Sequence, residues 1–165
     1  MRRINFIAID FETAKYSRES AISIGLAKYN DGYVVDTYYS LIRPPELYIR
    51  PDFTDLHGLS VDDVKDAPTF DNIWGGKIKP FIGGLPAPRL LYFCTFALAR
   101  NIWPELESHA LTALAENFGI RYSAHNALDD AIVCGQLVGM AAEKLGNCSS
   151  LKGILDAAGI GMNIL

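Results

Sequence analysis

Residues 4–14, INFIAIDFETA, run apolar on both faces of a two-residue repeat until two acids interrupt them. Ile4, Phe6, Ala8, Asp10 and Glu12 share one face, and Asn5, Ile7, Ile9 and Phe11 share the other. Such a pattern predicts a central strand covered on both sides. SAISIGLAKYN (20–30) and YVVDTYYSLIRP (33–44) predict two further strands, and Asn30-Asp31-Gly32 between them signals a hairpin. A loop rich in Pro and Tyr is expected over 44–53, and a Ser N-cap with early acids predicts a short helix start over 60–64. Phe70, Ile73, Trp74, Ile78 and Phe81 have helical spacing, although Gly75-Gly76 weakens that helix. RLLYFCT (89–95) reads as another buried strand. Helices are expected over 107–119 and 127–145, each closed by a glycine, and a short terminal helix over 149–160. An antiparallel meander followed by mixed strands and helices predicts one α/β domain over 1–165.

The acids of the first strand pose a physical problem. Two carboxylates one residue apart on one face repel each other and lose hydration, at several kcal/mol if buried without partners. Something cationic should sit between them. A second loaded stretch, AHNALDDA (124–131), begins the last long helix. Ala127, Asp130, Cys134, Leu137 and Ala141 form one stripe of that helix, which carries Asp130 inward. Asp129 aligns instead with Gln136 and Glu143 on the wet side, where its charge suits the helix N-terminus. His125 precedes the misplaced aspartate by five residues, and imidazole can take a proton near neutral pH. A lone histidine is more often structural. The acid pair and the buried aspartate change that weighting.

Composition narrows the classes. The chain has 165 residues, half of them apolar, and a net charge of −4. A protein that grips duplex DNA through many phosphates is usually basic, so any contact with nucleic acid must be local. Cys94, Cys134 and Cys148 have no metal-type spacing and are expected as reduced thiols. The N-terminal MRRINFIAID has no cleavage site and no apolar run approaches membrane-spanning length, so the expectation is a cytoplasmic protein without a membrane partner.

FIAIDFETA followed far downstream by HNALDDA resembles the first and third motifs of the DEDDh 3′–5′ exonucleases, the proofreading-subunit-like members of the ribonuclease H-like superfamily. LHGLSVDDVKDAPTF (56–70) resembles the family segment that helps hold the substrate's 3′ end, and FCTFALARNIWPELESHALTALAENFGI (93–120) resembles the strand and helices before the last motif. The resemblance covers nearly the whole chain. It implies an α/β, ribonuclease H-like fold with a mixed five-stranded sheet flanked by helices. It also implies two Mg²⁺ or Mn²⁺ ions held by Asp10, Glu12 and Asp130, with Asp10 bridging. His125 would deprotonate the attacking water, and the product would be a nucleoside 5′-monophosphate. Thr13, Ala14, Leu56 and His57 would line the pocket for the last nucleotide. Substrates would be single-stranded DNA or RNA 3′ ends, and no polymerase-binding tail is evident.

The chain departs from the family at the second motif. That motif carries a fourth carboxylate on a helix, and only GGLPAPR (83–89), with no acid, His or Asn, stands in its place. Three readings remain: a segment exists there beyond the residues given, the chain is a deletion with poor activity, or another acid substitutes; the family-like sequence on both sides of the junction favours the first. The function expected is therefore a metal-dependent exonuclease. The alternatives are a degenerate module that binds nucleic-acid ends without turnover, and an ordinary acid network with no metal. Tyr38, Tyr39 and Tyr48 are equally open to an interface, to base stacking or to local packing.

Overall fold

The computed structural model describes residues 4–83 and 90–164. Strands β1 (Phe6–Thr13), β2 (Ala21–Asn30) and β3 (Tyr33–Leu41) form an antiparallel sheet in the order β1-β2-β3. Asp31 and Gly32 connect β2 to β3 with φ of 52° and 89°, the left-handed backbone that a two-residue hairpin of this hand requires. Helices follow as α1 (Pro51–His57), α2 (Val61–Val64), α3 (Phe70–Ile73) and α4 (Lys79–Phe81), the last two joined by a π-helical turn over Trp74–Ile78. The glycine pair at 75–76 lies within that turn, so the expected helix is continuous but locally widened. Strand β4 (Leu91–Tyr92), helices α5 (Thr95–Ile102), α6 (Leu111–Asn117), α7 (Ala127–Lys144) and α8 (Leu151–Ala157), and strand β5 (Asn163–Ile164) complete the chain.

Three layers result. The π-containing helix covers one sheet face through Ile73 and Ile78, which pack on Ile24, Leu26 and Ile42. Helix α7 covers the other, and its far side joins α5, α6 and α8 in a core built on Leu98, Ile102, Leu114, Leu137, Val138, Ile154 and Leu155. Between α7 and the sheet the side chains are small: Ala8, Ala27 and Ala131 meet around Tyr29. Two glycines make the approach closer still. A Cβ on Gly25 would lie 2.2 Å from the carbonyl oxygen of Ala127, and one on Gly135 would lie 2.1 Å from the ring of Tyr29. The Tyr29 hydroxyl donates to the Ile132 carbonyl at 2.6 Å, pinning strand to helix, while its ring stacks on Phe6.

The α/β class expected from the sequence holds, but two details of the sheet differ. Among the described residues the five strands fall into two sheets, because β4 pairs with β5 rather than extending the first sheet. The expected strand over 89–95 shrinks to two exposed residues, since Thr95 already starts α5, whose apolar face Leu98, Ala99 and Ile102 draws the chain into the helical core. Strand β1 is consequently not central. Strand β2 is, and Ile9 on β1 is 50% exposed. Helix α1 begins inside the expected loop, with Pro51 at its first position, where a missing N–H does no harm. Helix α6 starts later than expected because the His109 ring bonds the Trp103 carbonyl at 2.8 Å and holds a turn before it. Among the described residues no helix is long and apolar enough to cross a membrane, and all three cysteines are free.

Gly25→Ala should lower stability by about 2–3 kcal/mol, because backbone rather than a yielding side chain occupies the space. Gly32→Ala, where nothing lies within 4 Å and only the positive φ resists, should lower it by about 1 kcal/mol. Urea unfolding of both variants checks the order; equal losses would place α7 further from β2 than described.

Candidate active site

The close contact between Gly25 and the first turn of α7 sets the site. Asp10 is the cross-strand partner of Gly25, and Glu12 is the partner of Ser23. Pressing Ala127 and Leu128 against Gly25 therefore brings Asp130, one turn further along, over the acid end of β1. Asn126 fixes the helix start by accepting from the amides of Leu128 at 3.1 Å and Asp129 at 3.3 Å. Pairing shifts between Glu12 and Thr13, so the regular ladder ends at the site in a bulge.

One carboxylate oxygen each from Asp10, Glu12 and Asp130 lies within 4.8 Å of the others. Glu12 and Asp130 are buried. Among the described residues, no lysine or arginine forms an ion pair with any of the three. Their electrostatics record that lack. Burial, and then the charge of Asp130, pushes the Asp10 pKa up to about 7, partly offset by the Phe11 amide. Glu12 is also pushed up to about 7, by burial and then by Asp10 and Asp130. Burial raises Asp130 too, against the opposing pull of the Tyr122 hydroxyl and of His125. Beneath them the Cys134 thiol, pushed up to about 11 by burial, lies 3.4 Å from the Thr95 hydroxyl.

Three buried side-chain atoms lack a hydrogen bond of standard geometry among the described residues: Ser23 Oγ, Tyr122 Oη and His57 Nε2. All three border this cluster. Ser23 pairs across the ladder with Glu12, and the Tyr122 hydroxyl faces Asp130. His57 Nδ1 accepts the Leu59 amide at 3.0 Å, which turns Nε2 toward the Thr13 backbone and the neighbourhood of His125. Oxygen-only carboxylate donors with unspent polar groups around them fit hydrated divalent cations of the Mg²⁺ or Mn²⁺ type.

The residues singled out from the sequence fall into place unevenly. Asp10, Glu12 and Asp130 converge, and His125, at φ 62°, is near enough to Asp130 to influence its charge. Thr13 and His57 adjoin one another, and Leu56 is 50% exposed beside them on α1. Ala14 does not line a pocket. It is fully buried among Ile22, Ile49 and Val64, and both its backbone groups are spent, on the Ser20 carbonyl and the Arg50 amide. Asp129 is half-buried and accepts the Ser123 amide at 3.2 Å, rather than standing free in solvent. Residues 84–89, where the second motif would belong, lie outside the described residues. Ser23 and Tyr122 were not foreseen. Tyr122 stands three residues before His125, a proximity that sequence spacing alone could have flagged.

No family model matches the chain. It is 25% identical over 165 residues to a DNA polymerase III PolC-type protein of Clostridium perfringens, covering 85% of this chain and 11% of that protein. A DNA polymerase III subunit epsilon of Aquifex aeolicus is 24% identical, covering 85% of this chain and 81% of the subunit. The chain thus spans about a tenth of the PolC-type relatives and most of the epsilon subunit. Among solved structures, Exonuclease X in complex with 5′ overhanging duplex DNA superposes with a TM-score of 0.72 at 21% identity, covering 93% of this chain and 99% of that one. The nuclease domain of 3′hExo, a DEDDh family member bound to rAMP, gives 0.70 at 16% identity, with 98% and 96% covered. The fold is theirs.

Because folding favours the protonated forms of Asp10 and Glu12, their contribution to stability is complete below about pH 4 and lost as pH rises through about 7. In chelator, the melting temperature of the wild type should fall between pH 5 and pH 8 more steeply than that of Asp10→Asn. Scanning calorimetry reads the difference; parallel slopes would refute the electrostatic account.

Proposed function

We propose that this chain, similar in sequence to a DNA polymerase III subunit epsilon and in fold to DEDDh-family nucleases, is a divalent-metal-dependent 3′–5′ exonuclease. Its reaction is hydrolysis of the last phosphodiester of a single-stranded DNA or RNA end, with release of a nucleoside 5′-monophosphate. The observation that carries this reading is the convergence of Asp10, Glu12 and Asp130 within 4.8 Å without a protein cation.

Asp10, Glu12 and Asp130 would together supply the carboxylate oxygens that hold the divalent cations. Two divalent cations bound there supply charge neutralisation and Lewis-acid activation of water and phosphate. His125 accepts the proton of the attacking water. It sits beside Asp130, immediately before the Asn126 cap of α7, and imidazole is the commonest general base. Asp130 thereby stabilises the imidazolium that results. His57 and Thr13 border the same space and orient the terminal nucleotide, while Leu56 offers it an apolar contact. The negative net charge suits such a site, because only a short single-stranded end has to enter.

Purified protein with a 5′-labelled single-stranded oligonucleotide and Mn²⁺ should shorten the strand from its 3′ end and release mononucleotides. Asp10→Ala should abolish this, and His125→Ala should slow it by about 10²–10⁴-fold. Undiminished hydrolysis by Asp10→Ala would remove the site assignment. Oligonucleotide binding with no turnover at any metal concentration would make the chain an end-binding module instead.

A further inference from the structure

Immediately beyond the acid end of β1 the chain builds a feature that the chemistry above does not use. Lys15, Tyr16, Ser17, Glu46, Tyr48 and Arg50 line a groove of about 350 Å³. Tyr16 is 80% exposed, yet two contacts hold its ring in place. The Arg50 guanidinium lies 5.0 Å from the centre of the Tyr16 ring, and Phe53 meets that ring edge-on with centroids 5.0 Å apart. Arg50 is itself fixed. Its Nε and Nη2 donate to the two carboxylate oxygens of Asp52 at 2.9 and 3.0 Å, and its amide bonds the Ala14 carbonyl at 2.9 Å. An aromatic side chain this exposed would ordinarily sample several rotamers. Here the ring has a cation over it and a T-shaped aromatic neighbour, and most of its surface stays open to solvent.

Helix α1 runs from the groove toward the acid site. Arg50 and Phe53 stand at the start of this seven-residue helix, Leu56 lies one turn after Phe53, and His57 at its end adjoins Thr13 and His125. Seven residues at about 1.5 Å each place groove and site roughly 10 Å apart. Lys15 pairs with Glu46 and Arg50 with Asp52, both at the surface.

We propose that Tyr16 is a stacking platform for a base upstream of the terminal nucleotide, with Lys15 and Arg50 facing the phosphates of the same strand. The ligand class is a single-stranded polynucleotide, and the inference rests on the exonuclease reading above. A fixed aromatic beside cations is the combination that holds single strands without regard to sequence. It also answers how a net-negative chain retains a polyanion, by a local contact rather than a basic surface.

Fluorescence anisotropy with a short labelled oligothymidylate, in Ca²⁺ buffer, tests the platform. Tyr16→Ala should bind about tenfold more weakly than the wild type, with an unchanged melting temperature, and Tyr16→Trp should bind as tightly as the wild type. The p-nitrophenyl ester of thymidine 5′-monophosphate, which fills only the terminal nucleotide site, should be hydrolysed with Mn²⁺ equally by all three proteins. Unaltered oligothymidylate binding by Tyr16→Ala, or equal weakening in the Ala and Trp variants, would overturn the platform. A wild type inert on the ester whose oligothymidylate binding still depends on Tyr16 would uphold the platform and refute the catalytic reading. A wild type active on the ester whose binding ignores Tyr16 would do the reverse.

Discussion

The approach of α7 to β2 at Gly25 is the constraint from which the rest of the site follows. Backbone meets backbone there, which leaves no room for even a methyl group. Small residues continue the contact at Ala27, Ala131 and Gly135, and Tyr29 locks it by bonding across to the Ile132 carbonyl. Helix and strand can then cross at one separation only. Since Asp10 pairs with Gly25 and Asp130 lies one turn beyond the contact, the same close packing decides the distance between two acids from opposite ends of the sequence. The arrangement is held by rigid elements rather than by loops, which suits a reaction sensitive to displacements near 1 Å.

That packing has an electrostatic consequence. Acids brought together by tight apolar contact lose water, and no protein cation among the described residues replaces it. Folding free energy from the helix–sheet interface therefore sustains a locally unfavourable charge cluster. The surrounding polar groups share this character, because among the described residues Ser23, His57 and Tyr122 each keep a buried atom without a hydrogen bond of standard geometry. Stability is given up at one point of the fold, the point where a cation would restore it.

Local signals in the sequence carried far. The Asn30-Asp31-Gly32 turn, the Ser60 cap and the stripe through Asp130 were legible because each depends on residues within one turn or one helix face. Long-range pairing was less so. Whether RLLYFCT joins β1 is decided by competition with α5 for the same residues, which no periodicity in the segment reveals. Ala14 could be taken for a pocket residue because its burial depends on Ile49 and Val64, distant in sequence. Ser23 became a neighbour of Glu12 only through the β1–β2 register, and the bulge after Glu12 is invisible in composition.

Strand β1 keeps one edge that no described strand covers, and its outward residues Ile9 and Phe11 are partly exposed. An apolar edge of this kind is a template for lateral addition of another chain. Asp10 and Glu12 interrupt it in its second half, and like charges meeting across an added copy would repel. A copy added along that edge would set further carboxylates beside the cluster, which opposes self-association there. Removing either acid would lengthen the uninterrupted run of strand-forming residues on β1.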